Sequence, residues 1–99
     1  SVFSAVRYSY PVQRSLRIID GRVSMVAPQY LNSRSQDLEP IYHDAGQFYM
    51  AKTQRYMEDK TFWGEHCAAV VLSELEVQDL DTETDWKLAE LKYKLIHNL

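Results

Sequence analysis

The stretch that decides the fold is residues 68–99, which read AAVVLSELEVQDLDTETDWKLAELKYKLIHNL. It opens on the apolar run 68–72, and such a short run is typical of a buried strand. Residues 76–80 predict a further short strand that runs into Asp81 and Thr82. A long amphipathic segment follows directly, and strands that alternate with helices indicate a layered α/β arrangement.

The amphipathic segment predicts a helix over about Glu83–His97. Thr82 and Asp85 resemble a capping box in which aspartate replaces the usual glutamate, since side-chain oxygens at both positions accept backbone N–H groups. Apolar side chains then recur at helical spacing and form one wide stripe. Its members are Trp86, Leu88, Ala89, Leu91, Tyr93, Leu95, Ile96 and Leu99. This helix is the clearest element of the chain.

The first part of the chain predicts a strand and a hairpin. Residues 2–8 read VFSAVRY, a β-rich run that ends before Pro11, because proline cannot donate to a sheet ladder. Residues 15–19 and 22–26 alternate apolar and polar side chains on either side of Asp20-Gly21. An Asp-Gly pair in that setting is the strongest short-range indication of a β-hairpin.

The middle of the chain changes character three times. Residues 27–45 are rich in Pro, Asn, Ser, Gln and Asp and predict a long polar loop. Loops of that length inside small domains are usually functional or disordered. Residues 46–52 predict a strand and residues 53–60 a helix, because their residue types favour those states. Phe62, Trp63 and Gly64 follow in a loop.

Length, charge and cysteine content exclude several classes of protein. The chain has 99 residues, enough for one modest core and no second domain, and its formal net charge of −3 argues against binding to a phosphate backbone. The longest apolar stretch, residues 67–72, is far too short to cross a membrane, so we expect a soluble protein. The single cysteine, Cys67, cannot form an internal disulfide, which fits a reducing, cytoplasmic location.

Asp79 and Asp81 are the first candidate site. Residues two apart on a strand face the same side, so both carboxylates can converge on a hard cation such as Mg²⁺. The alternative is purely structural, because aspartate at the start of a helix caps free N–H groups and complements the helix dipole. Spacing alone leaves both interpretations open.

The polar loop is the second candidate site. Arg34 carries a guanidinium fork that can bind a carboxylate, and His43 beside Asp44 can bind a polar substrate or transfer a proton. In the alternative interpretation, His43 and Asp44 merely satisfy backbone groups in a turn before Gly46.

Other sites lack support. The three histidines and Cys67 have no zinc-ligand spacing beyond the neighbours His66 and Cys67, so a zinc site is not expected. With three glycines in the chain, no phosphate-binding glycine loop is present. Phe62 and Trp63 form an aromatic pair that either anchors a partner or sugar, or packs in the core.

Three motifs taken together carry a family resemblance. They read SRSQDL at residues 33–38, YHDAGQFY at 42–49 and VQDLDT at 77–82, the last followed by DWKLAE at 85–90. In this order they resemble the C-terminal part of the acylneuraminate cytidylyltransferases, most closely the pseudaminic acid branch. The resemblance also includes the turn at residues 9–11 and extends over essentially the whole chain.

The resemblance implies an enzyme that transfers CMP from CTP to the anomeric hydroxyl of a nine-carbon keto sugar acid and releases pyrophosphate. The implied fold is part of a three-layer α/β nucleotidyltransferase with a β-hairpin for dimerisation and a C-terminal helix. Within one partial domain, residues 1–30 would hold a strand and the dimerisation hairpin, 31–52 the sugar-binding loop and a strand, and 53–99 the α/β remainder.

The same resemblance assigns site residues. Asp79 and Asp81 would be catalytic and would hold Mg²⁺. Substrate would be bound by Arg34, Gln36, His43, Gly46, Tyr49, Phe62 and Trp63. The family's sialic acid branch has arginine at the position of His43, which leaves open which residue binds the sugar carboxylate.

The resemblance also implies an incomplete enzyme. The family's CTP-binding loop, rich in Arg, Ser and Lys, has no counterpart here, and the chain opens at Ser1 inside a predicted strand. We therefore expect a C-terminal fragment that forms a homodimer and is inactive alone. The alternative is a non-catalytic dimerisation or interaction module in which Asp79 and Asp81 serve only as caps.

Overall fold

A computed structural model describes residues 1–99 and has mixed α/β architecture. Its strands are β1 (Val2–Arg7), β2 (Leu16–Ile19), β3 (Arg22–Met25), β4 (Tyr42–Met50) and β5 (Ala68–Leu72), and its helices are α1 (Thr53–Asp59) and α2 (Glu83–His97). The chain divides into two compact units. The sheet unit contains residues 1–7 and 42–99, and the hairpin unit contains residues 8–41.

The sheet unit is organised around β1. The strand order is β4-β1-β5, with β1 antiparallel to β4 and parallel to β5. Val2 lies opposite both Met50 of β4 and Ala68 of β5, so the first strand of the chain is the central strand of the sheet. The predicted strands at residues 2–8 and 68–72 are confirmed.

A bulge of several residues interrupts the pairing of β1 with β4. Phe3 pairs with Tyr49 and Ala5 pairs with Asp44, so Ser4 alone faces residues 45–48 of β4. Bulges of this kind bend a strand and redirect its side chains. At Gly46 the backbone has a φ of 73°, a left-handed conformation that glycine adopts without steric cost.

The core of the sheet unit is small. Val6, Ala45 and Val77 are buried together, and Leu72 packs against them. The prediction that residues 68–72 form a buried strand is wrong as regards burial, since Val71 is 58 % exposed. The reason is that β5 lies at the edge of a three-stranded sheet, and α2 packs against the turn at Glu74–Glu76.

The hairpin unit is built as the sequence predicts. Strands β2 and β3 pair antiparallel, with Ile19 opposite Arg22. The two linking residues, Asp20 and Gly21, have φ values of 51° and 75°, as a type I′ turn requires. Short 3₁₀ turns occupy much of the remainder, at Val12–Arg14, Pro28–Tyr30 and Ser35–Asp37.

One predicted boundary and one predicted strand are wrong. The polar loop predicted to reach residue 45 ends earlier, because Tyr42 and His43 pair with Arg7 and Val6 at the start of β4. Residues 76–80 form no strand. There Ser73 accepts the N–H of Leu75 and starts a 3₁₀ turn at Glu74–Glu76, and the irregular segment 77–82 then leads into α2.

Both predicted helices are confirmed. Helix α1 is followed by Lys60, its C-cap, which is left-handed with a φ of 54°. Helix α2 begins after Thr82 and is followed by its C-cap Asn98, which is left-handed with a φ of 57°. The capping box predicted at Thr82 and Asp85 is present.

Candidate active site

The irregular segment before α2 brings Asp79 and Asp81 together. A side-chain hydrogen bond from Asp81 to Asp79 raises the pKa of the Asp81 carboxyl above its ordinary value. The negative charge of Asp79, desolvation of the carboxyl group and the charge of Asp85 raise the pKa of Asp81 further. The two carboxyl groups therefore meet, but the prediction that a strand end brings them together is wrong, because residues 77–82 form no strand.

Helix capping is carried out by other residues. The hydroxyl of Thr82 accepts the N–H of Asp85 at 3.1 Å, and Asp85 Oδ2 accepts the N–H groups of Asp81 and Thr82 at 3.0 Å each. The bond from the Asp81 backbone is the main reason that the pKa of Asp85 is lowered. The capping side chains are thus Thr82 and Asp85, and the carboxyl groups of Asp79 and Asp81 make none of these capping bonds.

A hydrogen bond to α2 holds the start of the segment that carries Asp79 and Asp81. Val77, which precedes it, is buried in the core. Its carbonyl accepts a hydrogen bond of 2.7 Å from the Lys92 ammonium group, two turns along the helix. A charged donor makes such a bond stronger than a neutral one. The start of the segment is therefore held at a defined position on α2.

A second group of side chains lies on β4 and centres on Asp44. One carboxylate oxygen of Asp44 accepts the N–H of Gly46 at 2.8 Å, and the other accepts the hydroxyl of Tyr49. The Tyr49 hydrogen bond to Asp44 raises the pKa of the phenol, with burial and the Asp44 charge adding to the effect. The ring of His43 lies 3.0 Å from the Asp44 carbonyl oxygen through Nδ1.

Asp44 is the residue that sequence reasoning undervalued. The sequence predicts it either beside His43 in a site or in a turn before Gly46, whereas in the structure it joins Gly46 to Tyr49 across the bulge. The spacing of Asp44 and Gly46 is that of an Asx turn, in which an aspartate accepts the N–H two residues on. That pattern is visible in the sequence.

Phe62 and Trp63 lie in the loop after α1, as predicted, and both contact other aromatic rings. Trp63 meets Phe3 edge to face with ring centroids 4.8 Å apart, and Phe62 lies 5.1 Å from Tyr56 and 6.1 Å from Tyr49. Trp63 nevertheless remains 60 % exposed. The pair combines packing against the sheet with an accessible aromatic surface, so the two alternatives from the sequence are not exclusive.

Arg34 and Gln36 belong to the hairpin unit, whereas the other predicted site residues belong to the sheet unit. Arg34 precedes the 3₁₀ turn Ser35–Asp37 and Gln36 lies within it. Both side chains are exposed. The structure therefore places them in the polar stretch where the sequence predicts the sugar-binding loop.

The oxygen atoms that Asp79 and Asp81 offer determine the kind of cation that could bind there. No group of three or more His, Cys, Asp or Glu side chains that could hold a metal occurs in the structure. A pair of carboxylates suits Mg²⁺ bound jointly with substrate phosphates, because that ion keeps several waters and uses few protein ligands. The pair fits this use of Mg²⁺ and does not form an all-protein cage.

One open cleft lies apart from these residues. It has a volume of about 550 Å³ and is lined by Ser1, Lys52, Gln54, Arg55, Glu58 and His66. None of the predicted site residues lines it.

Neither helix is long and apolar enough to cross a membrane.

Comparison with known proteins agrees with the resemblance seen in the motifs. The chain is 35 % identical, over 97 residues, to the pseudaminic acid cytidylyltransferase of Campylobacter jejuni strain 81-176. It matches a C-terminal portion of the acylneuraminate cytidylyltransferases. The alignment covers 97 % of this chain and 42 % of the Campylobacter enzyme, so the chain spans less than half the length of that relative. No family model matches the chain.

Two further relatives have names that add a second activity or give a different sugar. A Helicobacter pylori protein named pseudaminic acid cytidylyltransferase and UDP-2,4-diacetamido-2,4,6-trideoxy-beta-L-altropyranose hydrolase is 39 % identical over 79 residues, 80 % of this chain and 15 % of that protein. The CMP-N,N'-diacetyllegionaminic acid synthase of Legionella pneumophila is 35 % identical over 81 residues, 75 % of this chain and 33 % of that protein.

The contact between Asp79 and Asp81 predicts a pH-dependent effect on stability. Because the pKa of Asp81 is raised in the folded chain, folding loses stability as the pH rises from the ordinary aspartate pKa through the raised one. Asp79→Asn should return the pKa of Asp81 toward its ordinary value and should increase the free energy of unfolding at pH 7. Carboxyl ¹³C titration and urea unfolding measure the two quantities.

Asp85→Asn is the matched control for this test. The pKa of Asp85 is lowered by its capping bonds, so its stabilisation is present at neutral pH and is lost as the pH falls through the lowered value. This control should lose stability at pH 7, in the opposite direction to Asp79→Asn. An unchanged Asp81 titration in Asp79→Asn would show that the two carboxyl groups do not meet.

Proposed function

We propose that the chain carries the sugar-acid side and the carboxylate pair of a cytidylyltransferase that transfers CMP from CTP to a nonulosonic acid. The observation that carries the proposal is that Asp79 and Asp81 converge while Thr82 and Asp85 make the capping hydrogen bonds. Homology to enzymes named for this activity on pseudaminic and legionaminic acids supports it.

The reaction is a displacement at phosphorus. The anomeric hydroxyl oxygen of the sugar acid forms a bond to the α-phosphorus of CTP, the bond from that phosphorus to the bridging oxygen breaks, and pyrophosphate leaves. The hydroxyl proton must be accepted as the new bond forms. Catalysis of such a transfer depends mainly on positioning and charge stabilisation.

Asp79 and Asp81 are the proposed Mg²⁺ ligands. When bound, Mg²⁺ supplies positive charge that offsets the triphosphate and favours ionisation of the sugar hydroxyl. The two carboxylates supply the negative charge that holds the ion, and the bond from Lys92 to the Val77 carbonyl anchors their segment. The hydrogen bond to Asp79 and then the charge of Asp79 raise the pKa of Asp81, and a bound cation would offset the repulsion between the two charges.

The sugar acid is the proposed ligand of the residues on and around β4. Gly46, Tyr49 and His43 offer backbone and side-chain hydrogen-bonding groups. The exposed ring of Trp63, with Phe62 beside it, suits the acyl groups and apolar ring face of such a sugar. In the hairpin unit, Arg34 and Gln36 are proposed to contact the sugar, with the Arg34 guanidinium available to its carboxylate.

The proposal extends to the complete enzyme. Its fold would be the three-layer nucleotidyltransferase arrangement, with the present chain as one partial domain and the CTP-binding loop outside it. Enzymes that use CTP act where the nucleotide is made, so we propose a cytoplasmic location. The chain alone is expected to be inactive.

Exposed aliphatic side chains on β2 and β3 support a homodimer. Ile18 is 69 % exposed, and Leu16, Ile19 and Val23 are exposed to a similar degree. A two-stranded hairpin is marginally stable by itself, and apolar side chains on it gain stability when a second copy covers them. The competing proposal is a dimerisation module without catalytic activity. The exposed hairpin surface supports that proposal and the enzyme proposal equally.

The carboxylate pair distinguishes the two proposals. In the complete enzyme, Asp81→Asn should lower turnover at least about a hundredfold, because it removes one charge from the cation site. Thr82→Ala is the control, since it removes the cap and costs about 1 kcal/mol of stability while leaving both carboxylates in place. Pyrophosphate release measures turnover. Full activity of Asp81→Asn across a magnesium titration would favour the non-catalytic module.

The choice of sugar provides a separate prediction. The complete enzyme should use pseudaminic acid in preference to N-acetylneuraminic acid, because residues 42–46 read YHDAG and lack the arginine of the sialic acid branch. The ratio of kcat/KM for the two sugars at fixed CTP measures the preference. A ratio in favour of N-acetylneuraminic acid would reject the branch assignment while leaving the reaction type intact.

Assembly can be measured on the chain itself. Light scattering at micromolar concentration should give the mass of a dimer, and Ile18→Lys should shift it toward the monomer because a charge would be buried at the hairpin interface. Leu99→Lys, at an exposed position outside the hairpin, is the control. A monomer for the unsubstituted chain would contradict the dimer proposal.

A further inference from the structure

The bulge between β1 and β4 lies within the proposed sugar site, between His43 and Tyr49. Asp44, the neighbour of His43, lies on one side of it and Tyr49 on the other, yet the Tyr49 hydroxyl donates to Asp44. In a regular strand, residues five apart are separated by about 16 Å. The contact therefore exists only because residues 45–48 fold out of the ladder opposite Ser4.

Ser4 is the side chain that stabilises this bulge. It is fully buried, and its hydroxyl oxygen accepts the N–H groups of Gln47 and Phe48 at 3.1 and 3.3 Å. These two N–H groups belong to residues 45–48 of β4. In that stretch four residues of β4 lie opposite Ser4 alone, so they have no regular partner on β1. A buried hydroxyl is retained when it satisfies buried donors in this way.

Gln47 connects the bulge to the carboxylate segment. Its side-chain amide donates to the Glu76 carbonyl at 2.5 Å. Glu76 immediately precedes Val77, whose carbonyl is held by Lys92, and the segment then continues to Asp79. A chain of hydrogen bonds thus runs from Ser4 through the bulge to the start of the segment that carries Asp79 and Asp81.

We propose that Ser4 and Gln47 are positioning residues of the transfer reaction: Ser4 holds the β4 bulge that joins Asp44 to Tyr49, and Gln47 ties that bulge to the carboxylate segment. The proposal rests on the proposed function for the reaction that it names. Neither side chain need touch the substrate. Ser4 acts on the sugar side through Asp44 and Tyr49, and Gln47 sets the separation between the two halves of the site.

The positional part can be tested on the chain as it stands. In Ser4→Ala, amide exchange at Gln47 and Phe48 should accelerate at least tenfold by NMR. The titration of Tyr49, identified by its absence in Tyr49→Phe, should move down toward an ordinary tyrosine because the bond to Asp44 is lost. Ser4→Thr retains the hydroxyl oxygen and should restore both signals.

Two further variants separate positioning from general loss of stability. Val6→Ala removes buried core volume from the same strand and should lower the unfolding midpoint without moving the Tyr49 titration. Gln47→Ala removes an exposed side chain and should fold even where Ser4→Ala does not. It should accelerate exchange at the Val77 amide, which donates to Glu74 at 3.4 Å, and should leave the Phe48 amide protected.

The catalytic part is tested in the complete enzyme. Ser4→Ala should raise KM for the sugar acid about tenfold and leave KM for CTP within twofold. A wild-type Tyr49 titration and amide exchange in Ser4→Ala, or equal increases in both KM values, would overturn the proposal. If the unsubstituted complete enzyme makes no CMP-sugar, the proposed function fails, while the titration and exchange still decide whether Ser4 and Gln47 hold the bulge.

Discussion

The structure depends on the pairing of β1 with two strands of opposite direction. β4 runs antiparallel along one edge of β1 and β5 runs parallel along the other, so the backbone groups of the first strand are satisfied by two distant parts of the chain. Ser4 makes this arrangement compatible with a bulged partner, because its hydroxyl accepts the N–H groups that the ladder leaves over. A small polar side chain is therefore the most buried residue of the sheet.

Local chemistry explains why some elements were predictable. The hairpin follows from Asp20-Gly21, whose two residues adopt positive φ values that few other pairs tolerate. Helix α2 follows from the capping box at Thr82 and Asp85 together with an apolar stripe. In both cases residues close in sequence determine the conformation, so no knowledge of the tertiary fold is required.

The predictions that were wrong concern residues whose conformation depends on contacts distant in sequence. Tyr42 and His43 join β4 because Arg7 and Val6 lie opposite them, which a polar local sequence does not reveal. Residues 76–80 form no strand, because Ser73 starts a 3₁₀ turn at Glu74–Glu76 and the segment that follows pairs with no strand of the sheet. The exposure of β5 likewise depends on what covers the sheet and not on its own residues.

The residues of the candidate site also differ in whether local sequence or distant contacts determine their roles. Motifs identified Asp79 and Asp81 as a pair, and the structure brings their carboxyl groups together by a route other than the predicted strand. The sequence predicts Asp44 as a neighbour of His43 in a site or as a turn residue before Gly46, and neither interpretation includes its bond to Tyr49. Ser4 and Gln47 were not recognisable, because their importance arises from a register shift between strands that are distant in sequence.

The central position of β1 also constrains the order in which the protein folds. The nearest residue that pairs with this strand is Tyr42, and β5 does not begin until Ala68. Within this chain, residues 2–7 therefore have no strand partner until Tyr42 has been made, while the hairpin of β2 and β3 can already close. The sheet assembles late and through distant contacts, which slows folding because loop closure precedes the stabilising pairing. Until β5 has been made, one edge of β1 lacks its partner from this chain, and an unpaired strand edge is a point of vulnerability to aggregation.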